Sequence, residues 1–257
     1  MGEFGLALIE RELPKLIEEY SVDFVIAQGE NVTNGKGLSL LDFRRLQAAG
    51  VNACTGGNWT LYNDSIFDAL DHSNEPVVRP ANYPLGTPGL PYKYVTTPQG
   101  SVLVVSLMGS IVGRDADKPT DNPLKIIDAI LKNEQNTPKV ATIVNLHGDF
   151  SSEKVVIGLY LDGRASIVVG DHWHVPTADT QILPGGTAHI TDVGMCGSFD
   201  SSLGVQLSSV VPRWRDGKPT ANVLQTTGRT QINGLLTTID AQSGLAVAAE
   251  HIRRIYT

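Results

Sequence analysis

Four short apolar runs in this chain each stop at residues able to hold a metal ion, which restricts the fold to sheets whose strands deliver side chains to one rim. Residues 22–27 lead into Gly29, Glu30 and Asn31, and residues 51–55 into Asn58. Residues 140–146 end at His147, and residues 165–169 run into Gly170-Asp171-His172-Trp173-His174. A short apolar run bounded by turn residues reads as a buried strand. In open α/β sheets, ligands bind outside the carboxyl ends of the strands. Four strands are therefore expected to bring Glu, Asn, His and His-x-His together.

Between these runs the periodicity turns helical. Leu6, Ile9, Leu13, Leu16 and Ile17 fall on one face, with Pro14 an objection to a straight helix. Helices are predicted over 39–49, 64–71, 122–133 and 152–161, and further strands over 77–79 and 101–107. Such alternation predicts a layered α/β fold with helices on both faces of a sheet. The end of the chain differs: residues 221–227, 230–240 and 246–255 read as strands, expected to form an antiparallel section at the sheet edge. No repeat or low-complexity linker interrupts the 257 residues, so one domain over 1–257 is expected.

Composition narrows the partners. The formal net charge is -7, with 20 Lys and Arg against 27 Asp and Glu, the wrong balance for a long nucleic-acid groove. Small anionic substrates fit, because bound cations invert the local field. The two cysteines, Cys54 and Cys196, give no disulfide framework and suit a reducing compartment. No membrane-spanning stretch or signal peptide is read, so a cytoplasmic protein is expected.

The donor types suit Mn, Fe or Zn: imidazole nitrogen with carboxylate and amide oxygen. Two such ions roughly 3.5–4 Å apart clamp the attacking and leaving oxygens of a phosphoryl displacement. Taken singly, each residue has an ordinary structural reading, and an Asn after Gly-Gly is commonly a turn former. The joint pattern at four strand ends points to metal. His72, His189 and His251 read as structural, while Asp149 and Asp171, flanking the metal histidines, can orient them as hydrogen-bond acceptors.

A series of motifs now stands in one order: Gly29-Glu30-Asn31 with Gly35-Lys36-Gly37, Gly57-Asn58, Arg79-Pro80-Ala81-Asn82, His147 and Ser152-Glu153-Lys154. Asp162-Gly163-Arg164-Ala165, Gly170-x-His172-x-His174 and Thr191-Asp192-Val193-Gly194-Met195 complete it. The series resembles the YmdB-like metallophosphoesterases, a bacterial branch of the calcineurin-like superfamily. The resemblance implies a sandwich of two mixed β-sheets flanked by helices in four αββα layers. It further implies two divalent metal ions, homo-oligomers, and phosphodiesterase activity on small substrates such as 2′,3′-cyclic nucleotides. By position, Glu30 would bridge the metals, Asn58, His147 and His172 would complete one site, and His174 would belong to the other. Asn31 would sit beside them, either supporting the ligands from behind or contacting phosphate, and Gly194, Met195 and Cys196 would line the substrate site.

Two departures from the family pattern matter. The family opens with a strand ending in a metal-binding Gly-Asp, whereas Met1-Gly2-Glu3-Phe4-Gly5 resembles the turn after it, so the first metal site is expected to lack a ligand. Glu3 is the nearest acidic residue, though beyond the ligand position. Trp59 stands where the family has the histidine that acts as general acid, and indole cannot donate a proton at neutral pH. The reading is a metal-dependent phosphodiesterase, weakened by these losses; the alternative is a degenerate metal- or nucleotide-binding regulator. A metal-dependent amidohydrolase barrel is disfavoured, because its His-x-His pair follows the first strand and the chain here ends in strands.

Overall fold

Local signals set the helix ends in the computed structural model, which describes residues 1–257 apart from the side chain of Arg114. Ser39 caps α2 (Leu40–Ala48), its hydroxyl accepting from the Asp42 N–H at 3.1 Å. Asn122 caps α4 (Pro123–Asn133) by accepting from the N–H groups of Leu124 and Lys125, with Pro123 at the first turn, where its missing N–H costs nothing. The first helix, α1 (Gly2–Tyr20), runs through Pro14 without ending there. Leu6, Leu8 and Leu16 are buried along its length, so apolar contacts hold it on both sides of the proline.

The strands form three sheets. β1 (Ile26–Gln28), β2 (Ala53–Thr55) and β3 (Val77–Val78) pair in parallel. The largest sheet contains β4 (Tyr92–Thr97), β5 (Gly100–Met108), β6 (Ala141–His147), β7 (Ile167–Asp171), β8 (Gln181–Ile182) and β9 (Ala188–Ile190). Its order is β4-β5-β6-β7-β9-β8, parallel from β5 through β9 with antiparallel edges. β10 (Gly197–Ser198), β11 (Thr230–Ile239) and β12 (Ala246–Tyr256) form an antiparallel trio.

Three apolar interfaces stack these elements. The outer face of the large sheet packs Leu103, Leu107, Val144 and Leu146 against Ile127 and Ile130 of α4 and Ile157 of α5 (Ser151–Tyr160). Its inner face meets the parallel trio through Ala53, Val78, Val102, Val104 and Ile143. On the far side Phe43 and Leu46 of α2, Ile66 from the turn before α3 (Phe67–Asp71) and Leu70 of α3 itself join Leu6 of α1 over Cys54 and Val77. The outcome is the expected mixed α/β sandwich in helix–sheet–sheet–helix order, with the second layer in separate pieces.

Three expectations need correction. Residues 221–227 do not form a strand: only Leu224 makes an isolated bridge, to Val205, and Gln206 and Gln225 bond this segment to the 204–206 turn. That stretch lacks an alternating apolar face, so no sheet recruits it. The antiparallel C-terminal strands pair with β10 in their own sheet instead of edging the parallel one. An unpredicted helix, α6 (Leu207–Asp216), tolerates Pro212 and stops at Gly217 in the left-handed conformation.

Candidate metal centre

The two facing sheets end at the same rim. Gln28 and Thr55 are register partners at the ends of β1 and β2, and Glu30 and Asn58 follow them. In the opposite sheet His147 is the register partner of both Met108 and Asp171, so the last residues of β5, β6 and β7 stand in a row. The Ser106 hydroxyl of β5 donates to the Gly56 carbonyl at 2.7 Å, tying one sheet to the other just below the rim.

Glu30, His147 and His172 come together there, each offering a ligand atom within 4.8 Å of the others. Asn58 joins them, its Oδ1 2.8 Å from His147 Nε2, and Glu30 Oε1 lies 3.1 Å from the same nitrogen. Two oxygen acceptors thus converge on one ring nitrogen while the Asp171 carboxylate faces the other, an arrangement that a protonated ring or a bound cation satisfies on every side. In the metal-free protein the ring is protonated. Burial disfavours the charged ring, but Glu30 and Asp171 outweigh it and push the His147 pKa up to about 10. The donor set equally fits a divalent ion of the Mn, Fe or Zn type.

Each ligand atom is oriented from behind. His147 Nδ1 lies 3.0 Å from Asp171 Oδ1, which assigns its proton to Nδ1 in the neutral ring and leaves Nε2 with a lone pair. His172 Nε2 lies 3.3 Å from Asp149 Oδ1, favouring the opposite tautomer. Asn58 Nδ2 donates to Asp115 Oδ2 at 2.7 Å, turning its carbonyl oxygen toward His147. Glu30 Oε2 accepts from the Trp59 backbone N–H at 3.1 Å. Gly57 makes this packing possible: a Cβ there would fall 2.2 Å from Glu30 Oε2 and 2.5 Å from His147 Cδ2.

His174 sits beside this group, not inside it. Its Nε2 is 3.2 Å from Asn31 Oδ1, its Nδ1 3.3 Å from the Leu203 carbonyl, and its backbone is left-handed at φ 66°. Burial, reinforced by the nearby Met1 ammonium, lowers its pKa to about 4. The Met1 amino group itself donates to the Cys196 carbonyl at 2.8 Å. Gly194, Met195 and Cys196 border an apolar cleft of about 360 Å³ that reaches His172 and His174. Glu3 is no substitute ligand: it lies on the surface, bonded to Arg45 at 2.7 Å.

The His-x-His loop hangs on a buried ion pair. Lys154 Nζ and Asp192 Oδ2 are 2.9 Å apart, both side chains only 1% exposed. The same carboxylate oxygen accepts from the Trp173 backbone N–H at 2.9 Å, and Lys154 lies 4.0 Å from the Trp173 ring centre. The indole N–H donates to the Asp149 carbonyl at 2.9 Å. Trp173 is therefore pinned between two histidines whose left-handed backbone, φ 102° at His172, is costly for non-glycine residues.

Sequence reasoning missed Gln28, Asp115 and Lys118, which carry no motif. Lys118 donates to the Asn58 carbonyl at 3.0 Å, and Gln28 Nε2 lies 3.4 Å from His147 Nδ1. Lys36 lay inside the Gly-Lys-Gly motif, which was its only signal. Among the other histidines, His72 caps its own helix turn through the Asp68 carbonyl and His251 meets the Val193 carbonyl. His189 is buried against the Val168 carbonyl.

Comparison with known proteins gives the family. A family model described as YmdB-like protein matches residues 1–252. The 2′,3′-cyclic-nucleotide 2′-phosphodiesterase of Bacillus subtilis is 39% identical over 253 residues, covering 98% of this chain and 93% of that protein. A novel phosphatase from Mycoplasma pneumoniae superposes with a TM-score of 0.90 at 29% identity, covering 99% of this chain and 90% of that one. A 5′-nucleotidase precursor from Thermus thermophilus, at 14% identity and a TM-score of 0.54 over 97% of this chain and 47% of its own, shares the fold alone.

Proposed function

Because the chain belongs to the YmdB-like family, we propose that it is a metal-dependent phosphodiesterase that opens 2′,3′-cyclic nucleotides or a closely similar small diester. The observation that carries the reading is the convergence of Glu30, Asn58 and His147 on one point from the ends of two facing sheets, with His172 beside them. In this assignment Glu30, Asn58, His147 and His172 would hold one ion, and His174 would serve a second, with Glu30 shared between them. Asn31 contacts the phosphate, and Gly194, Met195 and Cys196 line the substrate side.

Bound divalent ions supply a water of lowered pKa and neutralise charge on the phosphoryl oxygens. The chain's own part is orientation. Asp171 keeps the His147 proton on Nδ1, Asp149 holds His172, and Asp115 fixes which end of the Asn58 amide faces the centre. Water adds to phosphorus, one phosphorus–ribose oxygen bond breaks, and that oxygen leaves as a hydroxyl. Trp59 has no proton to give at neutral pH, so the leaving oxygen takes its proton from water.

Mn, Fe or Zn fits the donors, and a homo-oligomer of one catalytic domain per chain, working in the cytoplasm, completes the proposal. Elemental analysis and light scattering test the ions and the assembly. The decisive measurement is hydrolysis of a 2′,3′-cyclic nucleotide by Mn-loaded protein beside His147→Ala. Turnover that disappears with the substitution and with chelator is expected. No turnover by fully loaded protein would overturn the reading.

A further inference from the structure

Trp59 follows Asn58 directly and donates its backbone N–H to Glu30, so its main chain is anchored beside the metal centre. Two ammonium groups lie over that ring: Lys36 Nζ at 5.1 Å and Lys118 Nζ at 5.6 Å from its centre. Lys36 is also 5.5 Å from the ring of Tyr62, which meets Trp59 edge-on at 5.3 Å. Three separate loops build this arrangement. Gly37, at φ +72°, permits it, because a Cβ there would press on the Trp59 carbonyl and on Tyr62 Cβ, each at 3.3 Å.

The two cations have little of their own to hold. Among the described residues the Lys36 ammonium has the two rings but neither ion pair nor hydrogen bond. A cation–π contact at an exposed site contributes only about 0.5–1 kcal/mol and leaves all three N–H donors unspent. Lys118 pairs with Asp115 at 3.0 Å and donates to the Asn58 carbonyl at 3.0 Å, leaving one N–H group. Lys118 also borders a polar cavity of about 150 Å³ shared with Asn58 and Tyr83. In a chain of net charge -7, two ammonium groups at the lip of a metal centre suit an oxyanion entering from solvent.

We propose that Lys36 and Lys118, both held on Trp59, form an anion clamp for the phosphate group of the nucleotide, with Trp59 the positioning residue for both. The clamp rests on the phosphodiesterase reading for its ligand. It gives Trp59 a use that needs no proton transfer: the indole is a platform that keeps positive charge beside the phosphate.

The test measures Kd by calorimetry on Mn-loaded protein, with adenosine 3′-monophosphate as ligand and adenosine as its uncharged control. Lys36→Met and Lys118→Met are each expected to weaken the nucleotide about tenfold, as loss of a charge-assisted contact does. Adenosine affinity and Mn content should stay as in the parent, and Lys36→Arg and Lys118→Arg should recover most of the loss. Trp59→Leu should weaken the nucleotide by less than either lysine loss, about threefold, because Lys118 keeps Asp115 and the Asn58 carbonyl, while Trp59→Phe keeps most of the affinity. Unchanged nucleotide affinity in both methionine variants overturns the clamp. So does an equal loss of adenosine in Trp59→Leu, which would make the indole a base-stacking surface. Wild-type hydrolysis indifferent to the lysines would remove the clamp and keep the phosphodiesterase. Lysine-dependent binding without any hydrolysis would do the reverse.

Discussion

The two sides of the metal centre are held by opposite means. Glu30, Asn58 and His147 stand at or just beyond the ends of β1, β2 and β6, no more than 6% exposed, each ligand atom aligned by a neighbour. His172 and His174 stand in a loop with left-handed backbone, and their polar contacts lie at 3.2–3.3 Å. Parallel strands place side chains through register alone, so the first side needs no unusual conformation. The second side reaches its position only because the Lys154–Asp192 pair and Trp173 over-determine the loop. One side is rigid by construction, the other by a single clasp.

The largest expected effect strikes the rigid side. Gly57→Ala puts a methyl group against the Glu30 carboxylate and the His147 ring, buried side chains that can yield only by giving up their hydrogen bonds. Displacing these groups by about 1 Å should cost at least ~10²-fold in turnover and most of the bound metal. Gly234→Ala, in open space on β11, is the matched control. Normal Mn content in Gly57→Ala would break the idea that the strand-end side is intolerant.

On the loop side, Lys154→Met removes one partner of a buried pair. The stranded Asp192 charge should cost about 3–5 kcal/mol of stability, read as a lowered Tm. Trp173 loses its cation as well, so metal stoichiometry should fall without reaching zero, since Glu30 and His147 are untouched. If Tm drops but metal content and turnover per folded molecule are unchanged, the clasp does not govern the loop.

Trp59→His offers a smaller effect on the rigid side. A positioned imidazole contributes roughly 10²–10⁴-fold where the leaving group is poor. We expect kcat for a cyclic nucleotide to gain at least about tenfold more than kcat for a bis-aryl phosphodiester, whose phenolate leaves unaided. Equal gains would show that residue 59 does not face the leaving oxygen.

The smallest effect separates the sides by sign. In chelated protein His147 is pushed up to about 10 and His174 down to about 4. For His147, the folded state holds the proton more tightly, so its stabilisation is full below the ordinary value of 6.5 and fades as pH rises toward 10. For His174, the unfolded state takes up the proton first, so stability fades as pH falls from 6.5 toward 4. Each limb has a slope of up to about 1.4 kcal/mol per pH unit. Denaturant unfolding across pH should show His147→Gln flattening the alkaline limb and His174→Gln the acid one. Flattening of the same limb by both would erase the contrast.

The strand-end pattern made much of the site legible. Glu30, Asn58, His147 and His172 follow apolar runs, and a run that stops at a polar residue is a local signal. Residues 221–227 misled because β-tolerant composition without alternation does not recruit a partner strand. α6 was hidden by Pro212, and β4 by the absence of a long apolar run in Tyr92–Thr97.

What lies in the sequence itself is the inventory: donor types at strand ends, the helix caps at Ser39 and Asn122, and Trp59 directly after Asn58. Only the tertiary structure decided how those groups are held. The row of Met108, His147 and Asp171 follows from β-register. The hold of Asp115 on Asn58, 57 positions away, and of Lys36 and Lys118 on Trp59 follows from loops meeting across two sheets. Spacing along a chain encodes contacts within a turn or a strand, whereas these contacts exist only after two sheets have buried their apolar faces against each other.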